Sequence, residues 1–143
     1  MAGFFGRYEH SLDAKGRVIL PARFRPHFEL GGHLSKHYDG CLALWTPDAF
    51  DRQMATMETL LQSKREDRNL ARVWAAGSQE VEADKQGRIA IPASLRAYAH
   101  LETEVLITGA IDRVELWAPE VWRAVASSEE ERLLAGVTSE SVG

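Results

Sequence analysis

The chain of 143 residues has a single cysteine, Cys41, so no disulfide can close within it. The bridged frameworks of small secreted domains are therefore excluded. Long apolar runs are missing as well. Nothing approaches the roughly 20 residues of a membrane-spanning helix, and the opening Met1-Ala2-Gly3-Phe4-Phe5-Gly6-Arg7 lacks the apolar core of a signal peptide. A cytoplasmic protein with no membrane partner is expected. The sequence has no phosphate-binding glycine loop and no nucleophile elbow. The histidines at 10, 27, 33, 37 and 100 have no compact metal spacing. His33 and His37, four apart on a strand-like segment, are not expected to share a face. No metal, no cofactor and no small-molecule substrate is expected. Excess positive charge is lacking too: the net charge is −4, which argues against a generic nucleic-acid coat.

What the chain does have is one stretch spelled twice. Asp13-Ala14-Lys15-Gly16-Arg17-Val18-Ile19-Leu20-Pro21-Ala22-Arg23-Phe24-Arg25 returns as Asp84-Lys85-Gln86-Gly87-Arg88-Ile89-Ala90-Ile91-Pro92-Ala93-Ser94-Leu95-Arg96. Asp, Gly, Arg, Pro, Ala and the last Arg recur in register. A second echo follows each copy, Leu44-Trp45-Thr46-Pro47 and Leu116-Trp117-Ala118-Pro119. Two echoes at nearly one offset mark an internal duplication. A half-chain of about 70 residues buries only a modest core, so the two copies are expected to pack together.

Each copy reads as strand, tight turn, strand, helix, an α+β pattern. Asp-x-x-Gly is turn chemistry, the carboxylate bonding backbone amides ahead of it and glycine accepting positive φ. Val18-Ile19-Leu20 reads as a short buried strand. Pro21 suits the first position of a helix reaching Phe28, stopped by Gly31-Gly32. His33 to Tyr38 reads as a strand, Asp39-Gly40 as a two-residue hairpin turn, and Cys41 to Trp45 as the returning strand. Thr46-Pro47-Asp48 opens a helix, with Phe50, Met54, Met57 and Leu61 as its apolar stripe. Ser63 to Arg72 reads as a charged connection, and Leu70 to Ala76 as a short helix ended by Gly77. The second copy then gives a hairpin, a helix from Pro92 to about His100, strands Glu104–Thr108 and Val114–Trp117, and a helix from Pro119 that frays after Ser127. The organisation expected is repeat 1 over 7–54, a helical linker over 55–77, repeat 2 over 78–122 and a C-terminal tail over 123–143.

Charge is uneven. Residues 1–27 hold Arg7, Lys15, Arg17, Arg23 and Arg25 against Glu9 and Asp13, leaving that segment at +3 and the rest at −7. A local basic patch can steer an anion whatever the net charge. Arg17 and Arg88 leave the two turns at the same place. They can each pair with an Asp to hold the turn, or reach phosphates and bases from a rigid tip. In the first turn Lys15 and Arg17 flank Gly16, whereas the matching position in the second is Gln86, so the first is the expected DNA contact. Asp13, Asp84, Gly87 and Arg88 are expected to shape the turns. Asp13 and Asp84 could also be imagined as an aspartic-protease dyad, but Ala14-Lys15 and Lys85-Gln86 replace the small residues such motifs need. Cys41, Tyr8, Trp45 and Trp117 are expected in the core.

Asp13-Ala-Lys-Gly-Arg17 with Leu20-Pro21, repeated at Asp84 to Pro92, together with Phe5-Gly6 and the Leu-Trp-x-Pro echoes, resembles the MraZ family of bacterial transcription regulators. The resemblance covers nearly the whole chain. It implies two SpoVT–AbrB-type swapped-hairpin halves joined as a β-barrel, an intramolecular pseudo-dimer with helices after each repeat. It implies closed rings of identical subunits and binding of double-stranded DNA through Lys15, Gly16 and Arg17, with Arg23 and Arg25 as further contacts. It also implies control of a division and cell-wall operon, and hence a place at the nucleoid. A ring presents several identical turns, and linked sites raise avidity by ~10²–10⁴, so tandem short promoter repeats are the expected target. An antitoxin-like protein-interaction module, with its C-terminal segment around a partner, is the alternative.

Overall fold

The computed structural model describes residues 3–136. Residues 1–2, and 137–143 at the end of the expected tail, lie outside them. In chain order come β1 (Arg7–Ser11), β2 (Arg17–Ile19), β3 (Gly32–Lys36), β4 (Leu42–Trp45), α1 (Pro47–Leu61), α2 (Arg65–Gly77), β5 (Gln79–Val81), β6 (Arg88–Ala90), α3 (Ala93–Tyr98), β7 (Glu104–Gly109), β8 (Val114–Trp117) and α4 (Pro119–Ala135).

Six strands form one antiparallel sheet in the order β1-β7-β8-β4-β3-β5, and β2 pairs with β6 as a separate two-stranded ribbon. Exchanging the two repeats (β1 for β5, β2 for β6, β3 for β7, β4 for β8) reverses the sheet order onto itself. The first two strands of each repeat pair only with the other repeat: β1 on β7, β5 on β3, β2 on β6. Neither half can complete its sheet alone.

The inner face of the sheet and the ribbon enclose the main core. Val18, Leu20, Ile89 and Ile91 of the ribbon strands and their continuations meet Leu34, Leu42, Leu44, Val105, Ile107, Val114 and Leu116. The outer face carries the helices. α1 and α2 cover Ala43 and Trp45, with Trp74 stacked 5.3 Å from Phe50. α4 lays Val121, Trp122 and Val125 against Cys41, Leu106 and Trp117. Cys41, Trp45 and Trp117 are buried as expected, whereas Tyr8 is only half-buried at the edge of the inner core. Burial raises the Cys41 thiol far above its ordinary range.

Several sequence expectations are corrected. Ile19 does not share the burial of Val18 and Leu20. In a pleated strand alternate side chains face opposite ways, and Ile19 is 42% exposed. The helix expected from Pro21 to Phe28 is reduced to a single 3₁₀ turn, Arg25–Phe28. Pro26 lies in it and cannot donate to a carbonyl four residues back. The second repeat has no such proline, and α3 forms. The hairpin at Asp39-Gly40 has positive φ at both residues (65° and 85°), but the loop is wider than two residues and closes with His37 N–H donating to Cys41 O at 2.9 Å. Of the α1 stripe, Phe50 and Met57 are buried but Met54 and Leu61 are 50% and 43% exposed. The buried face is turned toward Ala49 and Leu60. The charged stretch from Ser63 is no connection beyond Lys64, because α2 already runs from Arg65. α1 also continues unbroken across residues 54–55. α4 does not fray at Ser127 but stays helical to Ala135, although its last turns leave the body, with Leu133 and Leu134 81% and 90% exposed. His33 and His37 do lie on one face, as an even spacing on a strand requires. His33 stacks on Phe50 at 3.9 Å and His37 meets Trp45 at 5.6 Å. Among the described residues no three His, Cys, Asp or Glu side chains cluster as metal ligands.

Candidate nucleic-acid interface

The duplicated turns are built alike. Asp13 Oδ1 accepts from the backbone N–H of Lys15 and of Arg17, both at 2.9 Å, while its Oδ2 accepts from Arg17 Nε at 2.8 Å. Asp84 does the same with Gln86 N–H, Arg88 N–H (both 2.9 Å) and Arg88 Nε at 2.7 Å. Gly16 and Gly87 close the turns at φ +75° and +81°, where a side chain is disfavoured. The backbone N–H of Arg17 is the leading cause that lowers the Asp13 pKa, and Arg88 N–H does so for Asp84. Both carboxylates are thus held ionised, and both arginines do pair with their own aspartate. The pairing uses only the Nε side of each guanidinium. The two aspartates stand in separate turns, each spent on its own turn, and do not form a dyad.

The turns lie at opposite ends of the β2–β6 ribbon. Its register sets Arg17 against Ala90, Val18 against Ile89 and Ile19 against Arg88. Leu20 N–H donates to Gly87 O (2.8 Å) and Ile91 N–H to Gly16 O (2.9 Å), one bond at each end. Val18 and Ile89 point into the core, so Arg17, Ile19, Arg88 and Ala90 share the outward face. From Gly16 to the position opposite Gly87 is four residues, roughly 14 Å of strand.

The last arginine of each repeat crosses to the other repeat's turn. Arg25 Nε donates to Leu20 O at 2.9 Å, and its guanidinium lies against Gly87, where a Cβ would collide with it. Arg96 donates to Ile91 O and lies in the same way against Gly16. Lys15, Gly16 and Arg17 are therefore brought together with Arg96, while Arg25 belongs to the second turn beside Asp84, Gly87 and Arg88. Burial first, and then the Arg25 charge, push the His10 pKa down. Arg23 is placed by a different contact, its guanidinium 4.3 Å from the centre of the exposed Phe5 ring. The Lys15 side chain has no partner among the described residues and is exposed. Arg96 was missing from the sequence-derived site. Its recurrence in register with Arg25 was the available signal, but the crossing that gives it a role is a product of the exchanged strands.

Two basic turns built on one pattern in a duplicated scaffold agree with what the sequence is similar to. The family described as "MraZ protein, putative antitoxin-like" matches residues 4–73 and again 74–139. The chain belongs to the MraZ family. Curated relatives cover it almost end to end. The protein named Transcriptional regulator MraZ from Thermoanaerobacter pseudethanolicus is 43% identical over 127 residues, 87% of each chain. Those of the same name from Acetivibrio thermocellus and Lactiplantibacillus plantarum are 41% identical over 126 residues (88% of each chain) and 40% over 120 (84% of this chain, 85% of the relative). Each of the two MraZ segments holds one of the turns, so the duplication read from the motif is the duplication of the family. No helix among the described residues is long and apolar enough to cross a membrane.

Proposed function

We propose that this MraZ-family chain is a sequence-specific DNA-binding regulator of transcription that acts in the cytoplasm at the nucleoid and represses the division and cell-wall operon containing its own gene. In this reading it assembles as a closed ring, and neighbouring subunits read tandem short repeats through the first-repeat turn, Lys15, Gly16 and Arg17. Arg23 adds a contact beside Phe5, and Arg25 contributes from the second turn. We read the fold as two swapped-hairpin halves of SpoVT–AbrB type closed into one barrel-like pseudo-dimer. The strands exchanged between repeats and the palindromic sheet order support that reading. The names of the relatives support the regulatory role.

The observation that carries the DNA-binding reading is the ribbon with a basic turn at each end. The turns are held by their own hydrogen bonds, so guanidinium and backbone N–H groups are presented with little ordering left to lose on binding. Few cations per subunit mean few phosphate contacts and weak single-site affinity at physiological salt, which is why several subunits on repeated elements suit the chemistry.

The test is fluorescence anisotropy on the duplex upstream of this protein's own gene at two salt concentrations. Because the two turns are built alike, Arg88→Ala is a matched control for Arg17→Ala. Wild type should bind with sequence preference, Arg17→Ala should abolish binding, and Arg88→Ala should weaken it less. Lys15→Ala, which breaks no internal contact, should reduce the salt slope by about 0.9. Unchanged binding in both arginine variants, or no binding by wild type, would overturn the reading. A protein-interaction module of the antitoxin kind is the second reading, favoured by the exposed Leu133 and Leu134 beyond the acidic Glu129–Glu131. It predicts a defined partner lost on removing residues 127–143.

A further inference from the structure

The outward face of the β2–β6 ribbon holds one large apolar side chain, Ile19, 42% exposed between two anchored arginines. The alternation of ribbon bonds leaves Arg17–Ala90 and Ile19–Arg88 as the non-hydrogen-bonded pairs, whose side chains stand closest. Ile19 thus lies directly beside the Arg88 stem, in the last pair of the ribbon next to the second turn.

Folding does not explain it. The repeat exchange places Ala90 at the equivalent position, on the same face of the same ribbon and likewise exposed to solvent. Alanine therefore satisfies this site structurally, and β-propensity gives no reason for isoleucine in only one copy. The other two positions of the strand pair, Val18 and Ile89, are apolar in both repeats because both are buried. The outward position is free to differ, and only the first repeat fills it with a branched hydrocarbon.

The dimensions supply an occupant. A two-stranded ribbon fits the B-DNA major groove, which is about 12 Å wide. The roughly 14 Å between the turns lets the lysines at each end reach phosphates on either wall, while the ribbon face meets base edges. In that groove the thymine C5-methyl is the apolar feature of a base pair, and arginine prefers guanine O6 and N7. We propose that Ile19 reads a thymine methyl, as a specificity residue between the guanidinium groups of Arg17 and Arg88. The inference rests on the DNA-binding reading above and adds to it a base identity set by an uncharged residue.

The experiment uses the full chain and the duplex upstream of its own gene, with each thymine replaced singly by uracil, which lacks only the methyl. Wild type should lose about fourfold in affinity at one thymine per repeated element, the ~0.8 kcal/mol of one buried methyl converted at ~1.4 kcal/mol per tenfold. Ile19→Ala should lose affinity for the thymine duplex and become indifferent to uracil at that position. Ile19→Val should keep part of the discrimination. Lys15→Ala should weaken both duplexes alike. Thermal melting checks that Ile19→Ala is folded, as an exposed position with an alanine twin predicts. Equal thymine-to-uracil ratios in wild type and Ile19→Ala, with binding otherwise intact, would overturn this inference and leave DNA binding standing. Failure of wild type to bind any of the duplexes would overturn both.

Discussion

Adding one methyl group at Gly16 puts two separate costs on the folded state. The residue sits at φ +75°, where an alanine costs roughly 1–2 kcal/mol. The new Cβ would also meet the Arg96 guanidinium. Moving that group gives up its bond to the Ile91 carbonyl, a charge-assisted bond on the order of 1.5–3 kcal/mol, toward the lower end here because Arg96 is partly exposed. The unfolded alanine chain has less freedom to lose, which returns about 0.4–1 kcal/mol. The expected net loss for Gly16→Ala is about 2–3 kcal/mol, or roughly 6–12 °C in Tm for a chain of this size. Gly136 gives the comparison. It has a similar φ, +74°, with nothing within 4 Å of an added Cβ, so Gly136→Ala should carry the φ cost alone, about 1 kcal/mol after the unfolded-chain gain. Urea unfolding of both variants, together with Arg96→Ala and the Gly16→Ala/Arg96→Ala double variant, separates the two terms. Removing Arg96 should cost clearly less once alanine occupies position 16. If Gly16→Ala and Gly136→Ala cost the same, or the Gly16 and Arg96 effects add within about 0.5 kcal/mol, the crossing arginine does not determine the turn.

The two aspartates predict an acid dependence of known sign. Their folded pKa values lie below the ordinary 3.8, so their contribution is complete above that value and is lost as pH falls through the lower folded one. Urea midpoints followed from about pH 5 to about pH 2.5 should fall less steeply in an Asp13→Asn/Asp84→Asn variant; parallel curves would mean that neither carboxylate stabilises its turn. Two tryptophans on the outer sheet face make a contrasting pair. Trp45 Nε1 donates to Ser35 Oγ at 2.9 Å, whereas the buried Trp74 Nε1 has no partner among the described residues. Trp45→Phe should therefore cost about 1–3 kcal/mol more than its lost area by orphaning the serine, and Trp74→Phe about 1 kcal/mol or less. The reverse order in urea would show that packing, not bonding, sets both.

The hydrogen bonds within each turn are legible in the sequence because their donors and acceptors lie within five residues. The Asp13 carboxylate bonds Lys15 and Arg17, the Asp84 carboxylate Gln86 and Arg88, and each aspartate carbonyl accepts from the turn glycine, so the spacing of Asp, Gly and Arg already contains the geometry. The same holds for the start of α1, where Thr46 Oγ1 accepts from Ala49 N–H at 3.2 Å. Two of the corrected expectations have equally local causes: Pro26 lies inside the segment that reads as the first helix, and the even spacing of His33 and His37 puts them on one face of a strand.

Duplication, the two turn motifs, the core status of Cys41, Trp45 and Trp117, and the basic first segment were set by the sequence alone, since each depends on neighbours in the chain or on hydrophobicity. Other features depended on which strands met. Arg25 reaches Gly87 and Arg96 reaches Gly16 only because each repeat completes the other's sheet, so the second basic turn gains an arginine that lies 62 residues before Gly87 in the chain. Ile19 faces outward beside Arg88 only because β2 found β6 in that register. Contacts across such sequence separations carry no local signature. They are decided by the burial of Val18, Leu20, Ile89 and Ile91 in one shared core, which only the folded chain assembles.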